Sequence, residues 1–240
     1  MKCLLKPLPR LQPRPRMSSF GLARYLSRFS IAITASLLSA VSFAAPITDP
    51  LGDFIPSFVG PHNADLDVLS GELVFSGTQF TFNTTLAGPV GTTAGSLYVL
   101  GLDRGQGTSR FPIIAPGVLF DEVVAITGTG TATVRDLIAG TATTLPGSAV
   151  TFSGNNLNIS FPLSLAPSLG LTPSNYMWNL WPRTGATNDN QISDFAPDNS
   201  DARVTVAAVP EPATIALLGL GCLSIIVIRR QGRMHTKAQT

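Results

Sequence analysis

The chain of 240 residues has only two cysteines and two histidines, the side chains on which disulfides, zinc sites and thiol or histidine-dependent catalysis rely. Its two cysteines, Cys3 and Cys222, lie near the two ends, so residues 45–209 cannot form an internal disulfide. Residues 45–209 also have a single histidine, His62, in a loop-like sequence, and no Gly-x-Ser-x-Gly motif occurs. Zinc needs His or Cys ligands, and a Ser-His-Asp triad would have to use His62, so both kinds of site are disfavoured.

Lysine is absent from residues 45–209, which have five arginines against thirteen acids, a formal charge of −8. The whole chain has a formal charge of +2, so the excess of basic residues belongs to its two ends. Nucleic-acid binding depends on Lys and Arg contacts to phosphates, and we expect no nucleic-acid partner. An acidic surface favours solubility outside the cell and attracts cations.

Residues 1–44 have the pattern of a secretory signal peptide. Basic residues precede the apolar run Ile31–Val41, and Ser42-Phe43-Ala44 supplies small residues at the −3 and −1 positions of a cleavage site. We expect signal peptidase to cut after Ala44, or alternatively after Ala45. The leader is long when counted from its first residue, so Met17 is a possible true start. The pattern predicts export of the segment that follows.

The C-terminal tail has three consecutive parts. The tripeptide Pro210-Glu211-Pro212 precedes the uncharged run Ala213–Ile228, and Arg229 and Arg230 follow at once. At about 1.5 Å per residue, the run spans roughly 24 Å as a helix, somewhat less than the ~30 Å hydrocarbon core of a bilayer. Arginine side chains at one end can snorkel to the interface and would hold that end in the cytoplasm. A buried core helix or a permanent anchor would produce a similar pattern.

This layout resembles the PEP-CTERM sorting signal of Gram-negative bacteria. The resemblance implies a sorting signal over residues 209–233, with its motif at 210–212, a transmembrane helix at 213–228 and a basic flank at 229–233. Residues 234–240 would then be a cytoplasmic tail. In that family the exported protein is held in the membrane by the helix, and an exosortase then processes it near the tripeptide. The resemblance further implies a destination at the cell surface or in the extracellular matrix, and an association with exopolysaccharide and biofilm.

Residues 45–208 have the pattern of one all-β domain. Strands are predicted at 66–75, 79–86, 96–102, 118–127, 131–135, 149–153, 157–161 and 203–208, from alternating or continuous apolar runs rich in Thr, Val and Phe. Ser76-Gly77-Thr78 has hairpin length, and Gly154-Asn155-Asn156 is a strong turn sequence. We predict a single β-sandwich-like domain of the immunoglobulin or jelly-roll kind.

Two groups of acids are candidate calcium ligands. Calcium prefers carboxylate, amide and carbonyl oxygens, and the first group, Asp189, Asp194 and Asp198, lies in an Asx-rich loop. The second group consists of Asp65, Asp67 and Asp103. The spacing matches no EF-hand, and Asx residues also cap turns without any metal. Calcium is therefore a possible cofactor here, and no other cofactor is expected.

Two tryptophans are candidate ligand-binding residues. If residues 176–181 form a strand, Tyr176 and Trp178 share one face and Trp181 takes the other. One face would be core, and the other could display a ring that stacks on a sugar. The alternative is that both rings pack inside the protein.

Three hypotheses about function follow. The first is a structural or interaction protein of the cell surface or matrix, linked to extracellular polysaccharide and without enzymatic activity. The second is a carbohydrate-binding module, which would use Trp178 or Trp181. The third is a secreted glycoside hydrolase, since its two carboxylates can come together from distant parts of a chain. The expected partners are signal peptidase, exosortase, the membrane and an extracellular polysaccharide.

Overall fold

The computed structural model describes residues 46–207. The predicted signal peptide with Ala44 and Ala45, and the tail with Pro210, Glu211, Pro212, Arg229 and Arg230, lie outside the described residues. Among residues 46–207, no helix has the length and apolar character needed to cross a membrane.

Strands and short 3-10 turns account for the regular structure of the described residues. The strands are β1 (Ile47–Thr48), β2 (Val68–Phe75), β3 (Gln79–Leu86), β4 (Leu97–Asp103), β5 (Thr108–Ser109), β6 (Leu119–Phe120), β7 (Glu122–Thr127), β8 (Ala132–Asp136), β9 (Thr141–Thr144), β10 (Val150–Ser153), β11 (Asn156–Pro162), β12 (Met177–Arg183), β13 (Ala202–Arg203) and β14 (Thr205–Val206). The 3-10 turns are Ala64–Leu66, Gly147–Ala149, Leu163–Leu165, Pro173–Asn175 and Asp189–Gln191.

The strands form two six-stranded sheets and a small ribbon. The first sheet has the order β1-β2-β3-β11-β10, and β14 also pairs with β2. The second sheet has the order β13-β12-β4-β7-β8-β9, and β5 pairs with β6. Apart from the parallel pairing of β14 with β2, the neighbouring strands are antiparallel.

The main hydrophobic core contains the apolar side chains of both sheets. Phe82 of β3 meets Trp178 of β12 edge-on, with ring centroids 5.1 Å apart, and Phe80 stacks on Tyr176 at 5.6 Å. These pairs join one sheet to the other, and each of the four rings is buried. Burial of this apolar surface holds the sheets together, which agrees with the absence of cysteine from this part of the chain.

A second hydrophobic cluster lies on the other face of the second sheet. Val99 of β4, Val123 of β7 and Trp181 of β12 pack there against Phe111 and Phe120 of the segment that carries β5 and β6. Because successive strand residues point to opposite faces, β12 supplies Trp178 to the main core and Trp181 to this second cluster. At Val99, Val123 and Trp181, the second sheet therefore has apolar contacts on its outer face as well as on its core face.

The prediction of an all-β domain is confirmed, and most predicted strands lie close to the observed ones. The strand predicted at 66–75 is observed as β2, and it has a register shift against β3 between Val68 and Ser70. The hairpin at 76–78 is also confirmed, with Gly77 at a φ of +94°. The run predicted as one strand at 118–127 is divided into β6 and β7 at Asp121, whose carboxylate accepts from backbone amides.

Candidate functional site

Three aspartates from distant parts of the chain converge beside the first sheet. Asp49 and Asp53 follow β1, and Asp194 lies between the Asp189–Gln191 turn and β13. One carboxylate oxygen from each lies within 4.8 Å of the other two. Within residues 46–207, these three form the group of His, Cys, Asp and Glu side chains with metal-ligand spacing. We refer to Asp49, Asp53 and Asp194 as the acidic cluster.

Backbone hydrogen bonds fix the position of the acidic cluster. The amide of Asp49 donates to the carbonyl of Leu69 at 2.9 Å, which holds the segment after β1 against β2. The amide of Ile55 donates to the carbonyl of Ser193 at 2.8 Å. The carboxylate of Asp194 accepts from the amide of Val68 at 2.9 Å. Three chain segments are thus joined around the cluster.

Asp67 lies at the edge of this cluster. Its Oδ2 accepts from the amide of Gly52 at 2.9 Å, in the loop between Asp49 and Asp53. Gly52 has a φ of +82°, a conformation that glycine adopts without the steric cost of a side chain. The turn between the two cluster aspartates therefore depends on a glycine and is held by a fourth acid.

Several carboxylate oxygens of this region are buried without a hydrogen-bond donor. They are Oδ2 of Asp49, Oδ1 of Asp53, Oδ1 of Asp67 and Oδ1 of Asp194. The side chains of Asp194 and Asp67 are only 1% and 3% exposed. Because an unpaired buried polar atom is costly, four of them in one place are unusual for a folded protein.

Burial and mutual repulsion make the ionised cluster unfavourable by itself. Burial is the main reason that the pKa of Asp49 rises to about 8, and the negative charges of Asp194, Asp53, Asp198 and Asp67 contribute to the same rise. Burial is also the main reason that the pKa of Asp194 rises to about 7, with Asp53 and Asp67 adding repulsion. No arginine forms a salt bridge with these acids within residues 46–207, so nothing described there neutralises them.

The predicted calcium ligands are only partly brought together. Asp194 belongs to the acidic cluster, and the exposed Asp198 is close enough for its charge to raise the pKa of Asp49. Asp189 does not join them: it begins a 3-10 turn, where its charge acts on Arg183. The expectation that Asp189 and Asp194 share one loop site therefore does not hold.

The second predicted group is separated as well. Asp65 is buried and accepts hydrogen bonds from Thr93 and from the hydroxyl of Tyr98. Asp103 accepts from the amides of Gly105 and Gly107 at 2.8 Å, as a turn residue does. Of this group, only Asp67 lies at the acidic cluster.

Asp49 and Asp53 were not named as candidates from the sequence. The signal was present, since Asp49-Pro50-Leu51-Gly52-Asp53 is a short loop with an acid at each end. The loop lies shortly after the predicted signal peptidase site, and its local sequence resembles an ordinary turn. The loop becomes a candidate site only because the fold brings it close to Asp194, which lies far away in the sequence.

Trp178 and Trp181 are both buried, with 1% and 2% of their surfaces exposed. Trp178 lies over Gly71 of the opposite sheet, where an added Cβ would come within 2.9 Å of the ring. Trp181 lies over Gly101, where an added Cβ would come within 2.5 Å. The expectation that one ring is displayed for a sugar does not hold, because the outer face of β12 is covered by Phe111 and Phe120.

A groove of about 530 Å³ opens beside Trp181 on the outer face of the second sheet. Aliphatic and threonine side chains of β4, β7 and β8 line it, together with the rims of Phe111 and Phe120. Three arginines also line it: Arg110, Arg135 and Arg183. We call this feature the arginine groove.

The three arginines of the groove differ in how far they are engaged. Arg110 and Arg135 are exposed, and Arg110 lies over the ring of Phe120 at 5.6 Å from its centroid. Arg183 is largely buried and donates to the carbonyls of Gly185 and Asn188. Neither Arg110 nor Arg135 forms a salt bridge within residues 46–207. Two exposed cations are therefore free to meet an anionic ligand.

The remaining buried charges form an ion network at the end of β4. Arg104 lies 2.7 Å from Asp121, 2.8 Å from Glu122 and 3.0 Å from Asp136. Burial raises the pKa of Glu122 to about 8 in spite of the nearby guanidinium, which is shared with two other acids. Arg104, Asp121 and Glu122 are fully buried, and only Asp136 of this network is partly exposed.

His62 is exposed, and its ring stacks on Phe54 and Phe58, with centroids 4.3 and 5.6 Å away. These ring contacts explain the position of the His62 side chain, and no catalytic role is needed to explain it.

Comparison with known families finds one match. Residues 208–231 match the family model of the PEP-CTERM protein-sorting motif, directly after the described part of the chain. A search of curated proteins finds no match. The resemblance drawn from the tail is confirmed: the chain carries the sorting motif of an exosortase substrate. The motif implies export, C-terminal sorting and an exosortase as processing partner.

Proposed function

We propose that the exported domain is a component of the cell surface or extracellular matrix that binds an anionic polysaccharide through the arginine groove. One observation carries this proposal: three of the five arginines of residues 45–209 line a single groove, in a segment with a formal charge of −8. Such a segregation of rare positive charge on an acidic domain suits recognition of a negatively charged ligand.

The groove has a suitable size and lining for a short stretch of sugar chain. Its volume of about 530 Å³ lies within the usual range for ligand sites, roughly 300–1,000 Å³. An exposed guanidinium can bind a sugar carboxylate with two parallel hydrogen bonds, which favours uronate-rich chains over neutral ones. Threonines of β7 and β8 in the lining, such as Thr127 and Thr133, add hydroxyl groups for hydrogen bonds with sugars.

The burial of the acidic cluster favours a binding role for the domain over glycoside hydrolysis. A glycoside hydrolase needs two carboxyl groups that reach the scissile bond from an open cleft. In the acidic cluster, Asp194 is 1% exposed and its Oδ2 already accepts from a backbone amide. We therefore propose that the domain has no enzymatic activity and acts by binding.

Co-sedimentation of the full-length protein in mild detergent with the host's own acidic polysaccharide tests this proposal. The double substitution Arg110→Ala and Arg135→Ala should weaken retention about tenfold, since each exposed ion pair is worth up to ~1 kcal/mol. Added salt should weaken retention of the unmodified protein by screening. Arg203→Ala is the matched control, because Arg203 is exposed but lies outside the groove.

Each measurement is made with a chelator present, so that binding through a metal ion is not counted. Equal retention of the double variant and the unmodified protein would contradict the role of the groove. Loss of retention in Arg203→Ala alone would place the contact on another surface.

A further inference from the structure

We propose that the acidic cluster of Asp49, Asp53 and Asp194 binds a calcium ion, with the buried carboxylate of Asp67 beside the site. The proposal goes beyond polysaccharide binding and does not depend on it, because the cluster and the arginine groove share no residue.

The spacing of the carboxylates is the first argument. Calcium binds oxygen at about 2.3–2.6 Å, so two ligands of the same ion lie no more than about 5 Å apart. The three carboxylate oxygens of the cluster lie within 4.8 Å of one another. Each can therefore reach one common ion without rearrangement of the backbone.

The unpaired buried oxygens are the second and independent argument. Asp194 is 1% exposed, and its Oδ1 has no hydrogen-bond donor while its Oδ2 is held by the amide of Val68. Asp67 is 3% exposed and has the same arrangement, with Oδ2 held by Gly52 and Oδ1 unpaired. In both side chains, one oxygen orients the carboxylate and the other is left for a ligand.

The chemistry of the donors selects the ion. Carboxylates are hard oxygen ligands, and no histidine or cysteine belongs to the cluster, so zinc and other softer metals are disfavoured. Magnesium requires near-ideal octahedral geometry at about 2.0–2.1 Å and keeps several of its waters. A set of three acids held by separate chain segments suits the larger and less demanding calcium ion better.

A bound ion would join chain segments that are far apart in sequence. Asp49 and Asp53 belong to the loop after β1, Asp67 precedes β2, and Asp194 precedes β13. The ion would neutralise charges that otherwise repel one another, and it would link the N-terminal loop to the C-terminal part of the domain. A metal can thus supply the cross-link that a domain without cysteine lacks.

Calorimetric titration and thermal unfolding of the full-length protein in mild detergent, after removal of metal by chelation, test the proposal. We expect one calcium ion per chain, and a rise in Tm of about 5–10 °C when calcium is a hundredfold above Kd. Magnesium should bind more weakly and shift Tm less. Asp53→Asn should weaken calcium binding at least tenfold, and Asp194→Asn should do the same.

Two features keep this test decisive. Asp53 is only partly buried, so Asp53→Asn should fold even if Asp194→Asn does not. Asp189→Asn is the matched control, since Asp189 lies in the same acid-rich stretch but outside the cluster. Absence of a calcium-dependent signal in the unmodified protein would overturn the proposal, as would unchanged binding in Asp53→Asn. Loss of binding in Asp189→Asn alone would move the site to the loop around that residue.

Discussion

Asp194 and Val68 lie 126 positions apart in the chain, yet the amide of Val68 donates to the Asp194 carboxylate at 2.9 Å. This hydrogen bond joins the start of β2 to the segment that precedes β13. The acidic cluster therefore exists only in the folded domain, because its members come together through contacts between the first and the last parts of residues 46–207. Any ligand of the cluster binds the native state and stabilises it.

Trp178→Ala should destabilise the domain by about 3–5 kcal/mol, the usual loss for removing a large aromatic side chain from a core. Trp178 is 1% exposed, packs edge-on against Phe82 and donates through its indole nitrogen to the carbonyl of Arg203. Urea unfolding followed by circular dichroism measures the change. Leu51→Ala is the control, since Leu51 is 75% exposed and should change stability by less than about 0.5 kcal/mol. A similar small change for Trp178→Ala would show that the ring is not part of the core.

Glu122→Gln should remove part of the pH dependence of stability. The folded-state pKa of Glu122 is raised from 4.5 to about 8, chiefly by burial. The folded state therefore holds this proton more tightly than the unfolded state, and the stabilisation is complete below pH 4.5. It is lost progressively as the pH rises towards 8, with a total of the order of a few kcal/mol.

The measurement for Glu122 is the free energy of unfolding between pH 5 and pH 9 for both proteins. Other acids titrate in both, so only the difference between the two curves reports Glu122. We expect Glu122→Gln to gain stability relative to the unmodified protein as the pH rises through this range. Parallel curves would show that Glu122 is ionised in the folded protein, paired with Arg104.

Replacement of Pro210, Glu211 and Pro212 by alanine should block processing in a host that has an exosortase. Intact mass should show that the unmodified external protein ends before Ile228, whereas the variant keeps its full C-terminus in the membrane fraction. Lys237→Ala is the control, because Lys237 lies beyond the basic flank at 229–233 and should leave processing unchanged. An unmodified external product that ends beyond Ile228 would contradict exosortase processing.

The strands were predictable because their signal is local. Alternation of Phe80 and Phe82 with polar residues placed β3 at its observed bounds, and the continuous apolar run at 96–102 identified β4. Short edge strands such as β1 and β9 have no such signal, since they are defined by pairing with distant partners. Periodicity identifies a strand that has a buried face, and it says little about a two-residue edge strand.

The acidic cluster was predictable only in part because it depends on tertiary contacts. Asp194 was a candidate from its Asx-rich surroundings, but nothing local links it to Asp49 or Asp53. Asp189 has the same composition around it and lies elsewhere, which shows that composition does not decide membership. The tryptophans show the same limit: strand periodicity placed Trp178 and Trp181 on opposite faces, but it could not show that both faces are covered.

Both ends of the domain are paired to one strand. β1 pairs with Ser70 and Gly71, and β14 pairs with Val74 and Phe75, along the edge of β2 that β3 leaves open. The chain continues from β14 directly into the sorting motif, so a pull on the tail enters the domain through two paired residues. Separation of β14 from β2 would uncover the edge of β2 at Val74 and Phe75, and an open strand edge is one to which another strand can add.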